Sequence, residues 1–276
     1  MRIERVGEKQ PPAETLSSLP PVEKPVPDAL WDLRMQERQG LYVYNNGESS
    51  HRTLELANVD WVEDAGRTAI RFSENPVGRR DYSLLGILDQ NLRNPNQRQN
   101  YESVCHGAFG LGGGPHQKIG PLKGLTLAAW IKPAAEMGKS TSYGGKGDII
   151  GYGARRFILG LEGQSAPYTL VARINVNDKI ESAATLDADR WYHAAMTCMP
   201  SGDHWQVRLY VDGQEVGAGV SKSLPVDPTV PDSLVQGAEL FYLHGAYYRG
   251  LMTDTLVIAR SLDAQEISAL AKPPLP

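Results

Sequence analysis

The segment Trp205–Val211, followed by Asp212-Gly213, constrains the fold more than any other stretch of the chain. In an extended strand, Trp205, Val207, Leu209 and Val211 project to one side, and Gln206, Arg208 and Tyr210 to the other. Asp-Gly supplies the positive φ values that a two-residue hairpin turn demands, and Gln214-Glu215-Val216 forms the return strand. A two-stranded hairpin has too little apolar surface to stand alone, so further strands must complete the layer and a second layer must cover it.

The rest of the chain provides those strands. Leu41–Tyr44, closed by Asn45-Asn46-Gly47, is one. Thr53–Leu56 and Val59–Val62 follow, and Arg67–Phe72 alternates with Ala69 and the Ile70/Phe72 pair on opposite faces. Leu125–Ile131 stops at Lys132-Pro133. Asp148–Tyr152, Phe157–Leu161, Tyr168–Ile174, Trp191–Met199, Leu240–Leu243 and Leu251–Ile258 complete the series. With 28 glycines and 19 prolines the chain is rich in turns. One short helix is predicted near the C-terminus: Asp263 caps it, Glu266 closes a capping box, and Ile267 and Leu270 supply its apolar contact. The fold class expected is all-β, a two-sheet antiparallel sandwich with one short C-terminal helix. Residues 1–28 contain six prolines and few large apolar side chains, and read as a tail or linker. Residues 29–276 read as a single sandwich domain. Residues 86–104 hold no periodicity and read as a long excursion. The glycine-dense Ala108–Gly114 lacks a GK[ST] ending and a following helix, which argues against a phosphate loop.

A net charge of −4 with no basic cluster argues against nucleic acid as partner. No apolar run reaches the ~20 residues that span a bilayer, and Met1–Pro20 has no apolar h-region of a secretory signal. The two cysteines, Cys105 and Cys198, have no zinc-site spacing; they are either a disulfide or two buried thiols.

Four motifs in order resemble the laminin-G-like, or concanavalin A-like, jelly rolls. GLTLAAWIKP at Gly124–Pro133 is similar to that family's "ftisaWvkp" strand, and RWYHAAMT at Arg190–Thr197 to its "W.HvA.t" strand. WQVRLYVDGQEV at Trp205–Val216 resembles the "v.lYvDG..v" hairpin. Gly250–Leu262 with Ala264–Ile267 resembles the terminal "G.iDEv" strand and helix. The resemblance implies a curved jelly roll in which Trp130 and Trp191 bridge the two sheets and Gly250 permits a close backbone approach. It implies an extracellular or periplasmic location, often beside further domains, and a glycan or protein surface as partner. It also admits a calcium ion at the loop rim. Of the family's two terminal acids only Asp254 is present, since Thr253 replaces the first, and the sequence assigns no metal ligands. Asn175, Asn177 and Asp178 read as an ordinary polar turn.

The function expected is a non-catalytic binding module, and no catalytic residue is assigned. A retaining glycosidase needs two carboxylates about 5–5.5 Å apart, yet no E-x-D-x-E triplet occurs. A polysaccharide lyase using Tyr, His and Arg, or a hydrolase with acids from distant strands, is the alternative. Sugar rims combine aromatic faces with polar groups, and Tyr152, Arg155, His244, Tyr247 and Arg249 are the candidate ligand contacts.

Overall fold

The computed structural model describes residues 26–40, 42–48, 53–57, 59–72, 107–109, 118–119, 122–137, 146–153, 156–174, 178–221, 230–231, 234–236 and 248–272. Strands β1 (Ala29–Leu33), β2 (Tyr42–Tyr44), β3 (Thr53–Ala57), β4 (Asp60–Asp64), β5 (Arg67–Phe72), β6 (Gly107–Phe109) and β7 (Lys118–Ile119) precede a long run. That run comprises β8 (Leu125–Pro133), β9 (Lys146–Tyr152), β10 (Phe157–Glu162), β11 (Tyr168–Ile174) and β12 (Asp178–Leu186). It continues with β13 (Tyr192–Ser201), β14 (His204–Val211), β15 (Gln214–Val220), β16 (Val230–Pro231), β17 (Leu234–Gln236) and β18 (Gly250–Ile258), and ends in helix α1 (Ala264–Leu270). One antiparallel sheet runs β15-β14-β13-β8-β18-β5-β4, with β1 also paired to β18. The second runs β12-β11-β10-β9-β17-β6-β3-β2, and β16 pairs with β7. Among the described residues, two large antiparallel sheets and one helix make the jelly-roll sandwich that the alternating segments predict. Among the described residues, no helix is long and apolar enough to cross a membrane.

The core lies between the sheets. Leu127, Ala129 and Ile131 of β8, with Ala194 and Met196 of β13, face Leu159 and Leu161 of β10 and Leu170 and Ala172 of β11. Trp205 packs edge-on against Phe157, ring centroids 5.3 Å apart, and so joins the two layers. Its alternation holds as predicted, with Trp205, Val207 and Leu209 inside. The expected bridging tryptophans are a correction. Trp130 is on the opposite face of β8 from Leu127, Ala129 and Ile131, and it pairs with His193, ring centroids 5.5 Å apart. The interior tryptophans are Trp31 and Trp205.

Part of the outer face of the first sheet is also apolar, which explains why much of β8 is buried on both sides. Ala128, Ala195, Tyr210, Leu256 and Ile258 form a second cluster there, closed by Leu262 and Ile267. Helix α1 covers this cluster. Its capping box is complete: the Asp263 side chain accepts from the Gln265 and Glu266 N–H groups, and Glu266 accepts from Asp263 N–H. Thr126 accepts from Leu262 N–H at 3.0 Å and donates to the Arg260 carbonyl at 2.8 Å, anchoring the approach to the helix. Val26 packs on the same cluster, and Asp28 pairs with Arg260 at 2.9 Å.

Three glycine sites show why the chain turns where it does. Asp212 (φ 49°) and Gly213 (φ 80°) make the predicted hairpin turn, and a Cβ on Gly213 would lie 3.0 Å from the Ser268 Cα of the helix. Gly250 (φ 131°) begins β18, and a Cβ there would meet the Lys132 carbonyl at 2.2 Å. At the far margin, Gly217 and Gly219 of β15 let the two sheets close on each other. Added Cβ atoms would sit 2.7 Å from the Glu181 carbonyl and 2.8 Å from Ile180.

On the outer face of the second sheet, Arg173 is buried and bonds Asp148 at 3.1 Å and Glu162 at 2.8 Å. Gly160 opposite leaves room for that guanidinium, 3.4 Å from where its Cβ would be. Cys198 is a free thiol buried in the core, and burial pushes it up. Cys105, the excursion 86–104, Leu240–Leu243 and the Asn175/Asn177 turn lie outside the described residues.

Candidate functional site

The first sheet ends in a cavity of about 470 Å³. Its walls follow from the register of three adjacent strands. Leu251 of β18 lies opposite Arg71 of β5 on one side and Lys132 of β8 on the other. Alternation puts all three on the outer face, with Ile70, Ile131 and Met252 beneath them in the core. Phe72, Ala134, Met137, Arg249 and Gly250 form the end wall, while Glu136 and Asp189 supply carboxylates.

Short backbone bonds fix this end of the sandwich. Ala134 N–H donates to the Arg249 carbonyl at 3.0 Å, and Arg249 N–H donates to the Met137 sulfur at 3.3 Å. Asp189, held at φ 58° in its turn, donates its N–H to the Pro133 carbonyl at 2.8 Å. The Tyr168 hydroxyl donates to the Ala134 carbonyl at 2.8 Å; burial chiefly, with Glu136 nearby, pushes that phenol up to about 12. The Tyr248 hydroxyl donates to the Leu251 carbonyl at 2.7 Å, and its ring meets Phe72 edge-on at 5.7 Å. Tyr248 is thus a packing residue that sets the start of β18.

The cationic groups also reach outward to acids that are not part of the wall. Arg71 pairs with Asp60 at 3.4 Å. The Lys132 ammonium donates to both oxygens of Asp64 at 3.1 Å, and Trp191 Nε1–H donates to Asp64 at 2.7 Å. Burial works to raise the Asp64 carboxyl, but these bonds outweigh it and hold the group below its usual range. Beside this row the Arg67 guanidinium lies 4.1 Å from the Trp130 ring centroid and 5.6 Å from that of Trp191. Its Nη1 is 3.8 Å from Asp254. Trp130 therefore offers its face to a cation of its own chain. His193, on the same face, is pushed down to about 4, first by burial and then by Arg67. Among the described residues, no three His, Cys, Asp or Glu side chains group so as to hold a metal. Asp254, the family's remaining acid, faces Arg67 instead.

The predicted contacts separate. Arg249 lines the cavity with its side chain largely enclosed. Tyr152 is wholly buried between the sheets beside Phe157, so it has no face for a sugar ring, which corrects its assignment as a surface contact. Arg155, His244 and Tyr247 lie outside the described residues. Arg71, Lys132, Glu136 and Asp189 are missing from the sequence prediction. Alternation did signal the first two: Arg71 opposes Ile70 and Phe72 in the strand pattern, and Lys132 follows Ile131. The carboxylates sit in connecting turns, where no periodicity marks them.

This layered architecture is that of jelly-roll sandwiches. A family model for the Concanavalin A-like lectin/glucanases superfamily, of laminin-G type, matches residues 114–268. The match covers more than half of the chain, and the chain belongs to that family. Among solved structures it is similar to domain 4 of AbnA, an extracellular arabinanase from Geobacillus stearothermophilus, solved in complex with arabinotriose. That likeness has TM-score 0.54 at 10% identity, over 89% of this chain and 98% of that one. It is similar too to the binding domain of Paraclostridial Mosquitocidal Protein 1, with TM-score 0.54 at 11% identity, over 88% of this chain and 52% of that one. At such identity these likenesses establish the fold. No curated protein matches the sequence significantly.

Proposed function

We propose that this chain is a non-catalytic binding module, residues 29–276 of a modular extracellular or periplasmic protein, which takes a glycan at the end of its first sheet. The observation that carries this reading is the cavity of about 470 Å³ with apolar walls and a charged rim. Its volume lies in the range of small-ligand sites, and its mix of apolar wall and a few polar groups suits a sugar unit. The likeness to a domain solved with arabinotriose supports the same reading. Among the acids whose carboxyls depart from their usual range, Asp64 and Glu162 are held low by cations, as salt-bridge partners are, and neither is part of the cavity wall. Glu37 is pushed up by burial, but it accepts from Tyr44 N–H and is not part of the cavity wall.

A glycan array probed with and without a calcium chelator tests the reading. The expected result is retention of a defined glycan that is lost when Leu251→Trp fills the cavity. Polysaccharide cleavage by the purified chain would overturn the non-catalytic assignment. Binding that survives Leu251→Trp in a folded protein would move the site elsewhere.

A further inference from the structure

We infer that the cavity selects a carboxylate-bearing saccharide over a neutral one, an inference that rests on the cavity being the glycan site. Three of its walls carry cations, Arg71, Lys132 and Arg249, against two carboxylates, Glu136 and Asp189. The cations are concentrated on one side. Arg71 and Lys132 flank Leu251 on neighbouring strands, so their backbones stand two strand spacings apart, about 10 Å. Arg249 closes the end of the same row, immediately before Gly250.

The donors on this side have capacity left for a ligand. The Lys132 ammonium has three N–H donors and gives two bonds to Asp64. The Arg71 guanidinium has five and makes one long bond of 3.4 Å to Asp60, with its side chain 44% exposed. Asp60 and Asp64 lie behind these cations and orient them without entering the cavity lining. A uronate ring would lay its C–H face on Leu251 and direct its carboxylate between Arg71 and Lys132. Glu136 and Asp189, acceptors when ionised, would take hydroxyl protons from the remaining edge. Neither carboxylate sits on the Arg71–Leu251–Lys132 row.

The chemistry predicts a charge requirement that ring shape alone would not give. The test is calorimetric titration of the full chain with tetragalacturonate, with its methyl-esterified form and with a neutral oligosaccharide retained on the array. Tetragalacturonate is expected to bind at least tenfold tighter than its methyl ester, and less tightly as salt rises. Arg71→Gln should cost roughly tenfold for the acid, the effect of one exposed charge-assisted bond, and should cost the neutral sugar clearly less. Lys132→Gln, checked for folding by circular dichroism, should act in the same direction. Equal affinity for acid and ester, both lost on Leu251→Trp, would overturn the charge preference while leaving the cavity as the glycan site. If no glycan's binding responds to Leu251→Trp, both readings fall.

Discussion

Gly250 stands where β18 crosses the end of β8, and replacing it with alanine separates two costs that are usually confounded. Gly66, in the β4–β5 turn, provides the reference. It too has positive φ, 77°, but a Cβ there would meet nothing within 4 Å. Gly66→Ala therefore incurs the left-handed backbone cost of about 1–2 kcal/mol, offset by about 0.4–1 kcal/mol from stiffening the unfolded chain. The net is about 0–1.5 kcal/mol. Gly250→Ala receives the same unfolded-state offset. Its φ of 131° lies in a region that only glycine commonly occupies, at about 1–3 kcal/mol. Its Cβ would also meet the Lys132 carbonyl at 2.2 Å and the Ala134 nitrogen at 2.9 Å, both main-chain atoms in a paired strand. Relieving that overlap must move β8 or β18 and stretch the Ala134–Arg249 bond, whose loss costs about 1 kcal/mol. With overpacking of about 1–3 kcal/mol added and the unfolded-state offset deducted, we expect about 4 kcal/mol in all. Urea unfolding followed by tryptophan fluorescence measures both variants. With an m value of roughly 3 kcal/mol/M, the Gly250→Ala midpoint should fall by about 1–1.5 M and that of Gly66→Ala by no more than about 0.5 M. Coincident midpoints would show that the close approach is not a constraint, and the account of how β18 is positioned would fail.

Other perturbations test other parts of the sandwich. Trp205→Ala empties the inter-sheet core and should cost about 3–5 kcal/mol. Trp191→Ala, on the outer face and partly exposed, should cost clearly less by the same denaturant assay, and the reverse order would invert the assignment of faces. His193, lowered from 6.5 to about 4 in the folded protein, makes stability fall as pH drops through that window. There the unfolded chain takes up a proton that the folded chain refuses, so the loss is about 3 kcal/mol at most. A pH series of unfolding midpoints should show this slope in the native protein and lose it in His193→Gln. Asp263→Ala removes both cap bonds of α1 and should lower stability by about 1 kcal/mol, whereas Asp263→Asn should retain most of it; equal thermal midpoints for native protein and Asp263→Ala would refute the capping role.

Most of the strand order was legible because alternation and turn chemistry are local. The Asp212-Gly213 hairpin, the Asp263 capping box and the constraint at Gly250 all stand as read from sequence. The misplacement of Trp130 has a physical reason. Leu125–Ile131 is apolar on both faces except at Thr126, since helix α1 covers Ala128 on the outer one and Arg67 covers Trp130, and periodicity cannot say which side is the interior. β12 escaped notice because its exposed margin alternates weakly around Ile180 and Leu186. The cavity was legible only in part. Arg249 was found through its neighbourhood of aromatic and basic residues, while the Arg71–Leu251–Lys132 row depends on pairing between segments far apart in sequence. Tyr152 was misjudged because a tyrosine beside a loop looks exposed until the opposite sheet is in place.

The glycines of β15 have a consequence for behaviour at high concentration. By drawing β12 against β15, Gly217 and Gly219 leave little space along that margin for a strand from another molecule. Among the described residues, the opposite margin of the first sheet ends in β4, where Asp60, Glu63 and Asp64 would oppose their own copies in any self-pairing. Bulky side chains at Gly217 and Gly219 should therefore promote soluble oligomers before they abolish folding.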